Sequence, residues 1–135
     1  MSRYVMMIGL FLLVACGKED SIIPDTYVNF RFSDVEYQQK RDGNGLYFVN
    51  GYGVAGLVIF KVSGGEYVAF DRCSTVNPEK RCAVQAGDTA FTLTDPCSGA
   101  MFSILDGAPA KAPATRALKQ YSVVQSQPGF YTVIN

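Results

Sequence analysis

The chain has 135 residues, 48% of them apolar and 18% charged, a size and balance that give one globular domain and exclude a disordered or low-complexity chain. Twelve basic and twelve acidic residues cancel, which excludes the basic face that nucleic acid requires and a polybasic patch for membranes. Histidine is absent, so His-based acid–base catalysis, Ser–His and Cys–His nucleophile pairs and the commonest metal ligand are excluded, and tryptophan is absent too.

The first element is a short positive start, Met1-Ser2-Arg3, followed by an apolar run from Val5 to Val14 broken only by Gly9. Leu13-Val14-Ala15-Cys16 ends the run, and Gly17-Lys18-Glu19-Asp20 follows at once. A permanent membrane helix needs about 20 apolar residues, so the run is read as a targeting segment. This order of charge, apolar run, small residue and cysteine resembles a bacterial lipoprotein signal peptide with its lipobox. The resemblance implies removal of residues 1–15 and attachment of acyl chains such as palmitate at Cys16. It places the chain in the cell envelope, anchored in a membrane, with the outer membrane as the expected location. Residues 16–25 are expected to be a lipidated tether. Within it, Lys18-Glu19-Asp20 resembles a surface-export signal, the alternative being the ordinary charges of a solvated linker. Export exposes thiols to an oxidising compartment, where cysteine pairs read first as disulfides. Cys73, Cys82 and Cys97 remain, an odd set that leaves one thiol free or paired between molecules.

Strand signals fill the expected domain, residues 26–135. Tyr27-Val28-Asn29-Phe30-Arg31-Phe32 alternates in part, and the turn cluster Arg41 to Gly45 leads into Leu46-Tyr47-Phe48-Val49. After Gly51-Tyr52-Gly53 comes Gly56-Leu57-Val58-Ile59-Phe60, a β-rich and buried run. Ser63-Gly64-Gly65 then turns the chain into Glu66-Tyr67-Val68-Ala69-Phe70. Later strands are expected at Cys82–Val84, Phe91–Leu93, Met101–Ile104, Tyr121–Val124 and Tyr131–Ile134. The segment from Gly107 to Arg116 is read as an ordered loop because of Pro109 and Pro113. No internal repeat and no helix beyond two turns is expected. Strands at this spacing, with Gly, Pro and Asp turns between them, predict an all-β antiparallel sandwich or barrel.

Three loop motifs lie between Tyr67 and Val124. The strand Tyr67–Asp71 leads into Cys73-Ser74-Thr75. A second loop reads Asp95-Pro96-Cys97-Ser98-Gly99-Ala100-Met101-Phe102. A proline loop carries Gly107, Pro113-Ala114, Leu118, Tyr121 and Val123. Together these resemble a Rieske domain, whose loops read C-x-H, C-P-x-H-G-x-x-F and G…P-A-x-x-x-L-x-x-Y-x-V around a 2Fe–2S cluster. That family holds one iron by two thiolates and the other by two imidazoles. On the resemblance, the four ligand positions are Cys73, Thr75, Asp95 and Ser98, so both imidazoles are missing and one thiolate is an aspartate. The resemblance therefore implies a degenerate domain: the fold is kept, no cofactor or metal is bound, and no catalytic residue is present. It also implies a disulfide between Cys82 and Cys97, which hold the places of the cysteines that tie the two Rieske loops, with Cys73 reduced. A one-residue shift of the first loop would favour Cys73–Cys97 instead.

Other groupings are weak. Three cysteines without histidine make a poor tetrahedral zinc site. Lys80-Arg81 reads as a turn surface, and Asp34, Glu36, Asp42 and Asp71 have no partner legible in the sequence. Asp71-Arg72 reads as a strand-end salt bridge of little energy. The expected function is that of a non-enzymatic envelope lipoprotein acting as a binding or structural module. Its expected partners are the membrane, through the lipid, and an envelope protein complex. Alternatives are a redox or electron-transfer protein, using a 2Fe–2S cluster or a thiol, and a glycan-binding accessory lipoprotein. Mass spectrometry of the native N-terminus is expected to show acylated Cys16 with residues 1–15 removed, and Cys16→Ala to release the protein from the membrane fraction. An unmodified Met1 in that fraction would refute the reading.

Overall fold

The computed structural model describes residues 22–135, so Cys16, the lipobox and Lys18-Glu19-Asp20 lie outside the described residues. Strand β1 (Asn29–Ser33) runs directly into helix α1 (Asp34–Lys40). Ser33 caps the helix, its Oγ accepting from the Glu36 amide at 3.1 Å. Asp34 and Glu36 in the first turn and Lys40 in the last complement the helix dipole. The next turn is built on Asp42, whose Oδ1 accepts from the Asn44 and Leu46 amides at 2.8 and 2.9 Å. Strands β2 (Tyr47–Val49), β3 (Leu57–Lys61) and β4 (Tyr67–Asp71) follow, then a 3₁₀ turn at Pro78–Lys80. Strands β5 (Gln85–Ala86), β6 (Thr92–Thr94), β7 (Met101–Ser103), β8 (Pro109–Lys111), β9 (Gln120–Gln127) and β10 (Phe130–Ile134) complete the chain.

Every ladder between these strands is antiparallel. Six strands form one sheet in the order β1-β10-β9-β4-β3-β2, and four form a second in the order β5-β6-β7-β8. The large sheet curls on itself: the Phe30 ring of its first strand meets the Tyr47 ring of its last, edge to face at 6.2 Å.

β3 shows why two cores form. Side chains alternate across a strand, and all four apolar residues from Leu57 to Phe60 are buried. Leu57 and Ile59 enter a core inside the curled sheet with Val28, Phe32, Tyr37, Tyr67, Ala69 and Val133. Val58 and Phe60 enter a second core with Phe70, Val84, Leu93, Phe102, Ile104 and Leu118, between the two sheets. Burying each of the larger side chains contributes about 1.5–3 kcal/mol relative to exposure. The second core seats the small sheet and, with it, the loops at its end.

The fold class is the expected all-β one, with local differences. Helix α1 is absent from the sequence reading, although Ser33-Asp34-Val35-Glu36 is a capping-box pattern. The proline-rich stretch contributes an exposed edge strand, β8, where a loop is expected. β5 starts at Gln85, beyond the expected Cys82–Val84, where Ala83 forms a single bridge with Cys73. The packed domain starts before residue 26: Ile23 is buried, and Lys119 Nζ donates to the Pro24 carbonyl at 3.2 Å and pairs with Asp25.

Gly53 lies in the connection between β2 and β3 at φ +64°, and a Cβ there would sit 2.4 Å from Asp71 Oδ2 and 3.1 Å from the Tyr121 hydroxyl. Gly53→Ala is therefore expected to destabilise the domain by about 1–3 kcal/mol through backbone strain and collision. Gly43→Ala, with nothing within 4 Å, should be nearly neutral. Urea midpoints of the two variants check the contrast.

Candidate functional site

Three connections converge at one end of the small sheet. Loop 1 spans residues 72–84 between β4 and β5, loop 2 spans 95–100 between β6 and β7, and the proline loop spans 112–119 between β8 and β9. Their placement starts at Asp71, the buried last residue of β4. Its Oδ2 accepts from the Val54 amide at 2.6 Å and the Tyr121 hydroxyl at 2.8 Å. Its Oδ1 accepts from the Ala55 amide at 3.1 Å and the Cys73 amide at 2.8 Å. One carboxylate thus joins the start of loop 1 to the β2–β3 connection and to β9. It forms no salt bridge with Arg72, contrary to the sequence expectation. Arg72 instead donates from Nε to the Val84 carbonyl at 3.0 Å and lies over the Phe48 ring at 4.5 Å, spanning loop 1.

Asp95 is the second buried carboxylate, and it joins loop 1 to loop 2. Ser74 Oγ and Ser98 Oγ each donate to its Oδ2 at 2.7 Å, and the Cys97 amide donates to its Oδ1 at 2.8 Å. Burial alone would raise the Asp95 pKa. The hydrogen bonds from Ser98, Ser74 and the amides of Cys97 and Ser98 outweigh burial and hold the carboxyl below its ordinary value. The two loops match in backbone design. The Ser74 amide donates to the Cys82 carbonyl at 2.9 Å, and the Asp95 amide to the Ala100 carbonyl at 2.8 Å. Cys82 and Cys97 close the tip as a disulfide with a Cα–Cα distance of 6.3 Å.

The four positions expected from the resemblance separate in space. Asp95 and Ser98 come together. Thr75 turns away, donating from Oγ1 to the Arg116 carbonyl of the proline loop at 2.7 Å. The loop 1 side chain that faces Asp95 is Ser74, one residue beyond Cys73. The Cys73 thiol is buried and reduced, lying against the Ser74 and Pro78 carbonyls at 3.7 and 3.5 Å. Burial first, and the Asp71 carboxylate second, push its pKa up to about 11. Ser74 and Asp71 are the site residues that the sequence reading missed. The C-x-H pattern draws attention to cysteine, and nothing local marks which of two adjacent side chains faces inward. Lys80-Arg81 lies on an exposed turn, as expected.

A ferredoxin from Sphingomonas yanoikuyae B1 superposes on this chain with a TM-score of 0.56 at 21% identity, covering 79% of this chain and 98% of the ferredoxin. The domain has a Rieske-like fold. A complex of an oxygenase variant and ferredoxin of carbazole 1,9a-dioxygenase superposes with a TM-score of 0.51 at 15% identity, over 79% of this chain and 28% of that one. No family model and no curated protein matches the chain. A Rieske cluster asks its loops for two thiolates and two imidazoles. The tip of this Rieske-like domain offers a carboxylate, two hydroxyls and two sulfurs already bonded to each other. That set does not fit the cluster, and no histidine exists elsewhere to complete it.

Because the folded Asp95 pKa is depressed, its contribution to stability is present above the ordinary carboxylate range and is lost as pH falls through the folded value. Asp95→Asn is expected to cost about 1.5–3 kcal/mol at pH 7, the worth of hydrogen bonds to a charged acceptor. Urea unfolding should show this gap between the two proteins shrinking as the pH falls from about 5 towards 2. A gap that stayed constant with pH would contradict an ionised Asp95.

Proposed function

We propose that the protein is a cell-envelope lipoprotein, anchored through acylated Cys16, whose Rieske-like domain holds no iron–sulfur cluster. In this reading the domain is a non-catalytic binding or structural module. The membrane is its lipid partner, and an envelope protein complex is its working context. The observation that supports the reading is the Asp95 network: Asp95 and Ser98, two of the four positions that the resemblance implies for ligands, are bonded to each other, and Ser74 donates to the same carboxylate. Hydroxyls are poor ligands for cluster iron, the Cys82 and Cys97 sulfurs are bonded to each other, and Cys73 is a single buried thiol. The membrane assignment is supported by the Val5–Val14 run and Leu13-Val14-Ala15-Cys16.

Electron transfer is the second reading, favoured by the likeness to a ferredoxin. Through Cys73 it meets a physical obstacle. That thiol is buried and its pKa is pushed up to about 11, so the reactive thiolate is scarce at neutral pH. Reconstitution with ferrous iron and sulfide under argon separates the two readings. After desalting, no visible absorption and no EPR signal on reduction are expected. Stoichiometric iron that resists a chelator would overturn the cluster-free reading and establish the electron-transfer one.

A further inference from the structure

Cys82, Asp95 and Cys97 bring two sulfurs and a carboxylate oxygen within 4.8 Å of one another. Asp95 is buried, Cys82 half-buried and Cys97 exposed, so protein closes one side of this group and solvent reaches the other. The three residues come from two loops that hydrogen bonds hold besides the disulfide. The Cys82 carbonyl is fixed by the Ser74 amide in loop 1, and Asp95 by the Ala100 carbonyl and two serine hydroxyls. The carboxylate therefore keeps its place whether or not the sulfurs are bonded. Three cysteines alone make a poor metal site; a fixed carboxylate beside two of them changes the donor set.

We propose that reduction of the Cys82–Cys97 bond converts the tip into a site for a zinc-class divalent cation. The ligands are the Cys82 and Cys97 thiolates and the Asp95 carboxylate, with the fourth position open to solvent beside Cys97. A dithiol reductant opens the bond by exchange. Its first sulfur attacks Cys97, the exposed member, and Cys82 leaves as a thiolate; its second sulfur then releases Cys97. Two electrons and two protons pass from the dithiol, which ends as a disulfide, to two cysteine thiols. The cation then displaces both thiol protons into solvent.

The dimensions suit this chemistry. Metal–sulfur bonds of about 2.3 Å in a tetrahedron separate ligand atoms by about 3.5–3.8 Å. The sulfurs must part from bonding distance to reach that spacing, and the carboxylate oxygen lies within 4.8 Å of both. Two thiolates select zinc-class cations over magnesium and calcium. While the sulfurs remain bonded to each other they offer no thiolate, so the oxidised tip lacks the donor set.

This inference rests on the cluster-free reading, because a cluster would occupy the same space. Cobalt is the probe. The detergent-extracted full chain is reduced with a phosphine under argon and titrated with Co²⁺, and iron is assayed in the same preparation. Tetrahedral cobalt–thiolate absorption saturating at one equivalent is expected after reduction and not before. It should vanish in Cys82→Ser and Cys97→Ser, weaken by about tenfold or more in Asp95→Asn, and persist in Cys73→Ser. Absorption in the unreduced chain, no absorption after reduction, or a signal surviving Cys82→Ser would overturn the site. So would an affinity unchanged by Asp95→Asn. Should Asp95→Asn fail to fold, the two cysteine variants decide alone. Bound iron and sulfide in the starting protein would instead overturn the cluster-free reading.

Discussion

The tip of this domain depends on a charge kept inside the protein. Removing a carboxylate from water costs several kcal/mol unless donors replace its hydration. For Asp95 the donors are two serine hydroxyls and the amide of Cys97, and its lowered pKa shows that they more than compensate. Asp71, one step back along loop 1, repeats the device with three amides and the Tyr121 hydroxyl. Neither acid is matched by a cation among the described residues. Each carboxylate is met by groups that the fold must hold in place, and for Asp95 folding and ionisation are coupled. Removing either carboxylate would leave several buried donors without partners, a larger penalty than any one of these bonds contributes.

The two carboxylates divide the work of joining distant segments. Asp71 ties β4 to the β2–β3 connection and to β9, which fixes the direction in which loop 1 leaves the sheet. Asp95 then ties loop 1 to loop 2, and the disulfide ties them again at the exposed rim. A loop closed over a separation of 15 residues contributes roughly 3 kcal/mol in the chain-entropy model. The tip therefore has one covalent joint facing solvent and one polar joint facing the core. The placement of the two loops is thus held by a disulfide and a hydrogen-bonded carboxylate. Function follows the site and not the fold.

Much of the fold was legible, and the illegible parts have physical causes. The turns announced themselves through Gly64-Gly65 and Asp42, and the run Leu57–Phe60 declared a strand buried on both faces. Helix α1 did not, because seven residues are too short to show a helical period, although Ser33 and Glu36 stood at capping-box spacing. β8 hid behind Pro109, which is tolerated there as the first residue of an exposed edge strand. The burial of Ile23 was unreadable because Ile22-Ile23-Pro24 ends a polar stretch, and Lys119, which holds the adjoining Pro24 carbonyl, lies 95 residues away. At the site, Asp95 and Ser98 were found through the second loop's motif. Ser74 was missed, since a motif read by spacing can slip by one residue without any local sign.

That single residue of register decides the chemistry of the tip. In an extended segment neighbouring side chains point to opposite sides. The bond from the Cys73 amide to Asp71 Oδ1 fixes the backbone where β4 ends, and the next residues follow from it. Cys73 turns into the protein, against the Pro78 carbonyl, and Ser74 turns towards Asp95. Had the register fallen the other way, a thiol would stand beside the carboxylate and the disulfide, able to exchange with either sulfur. As folded, the group facing Asp95 from loop 1 is a hydroxyl, which donates a hydrogen bond and does not exchange with disulfides. The reduced thiol of the domain is shielded from the tip, and the sulfur chemistry of the tip is confined to Cys82 and Cys97.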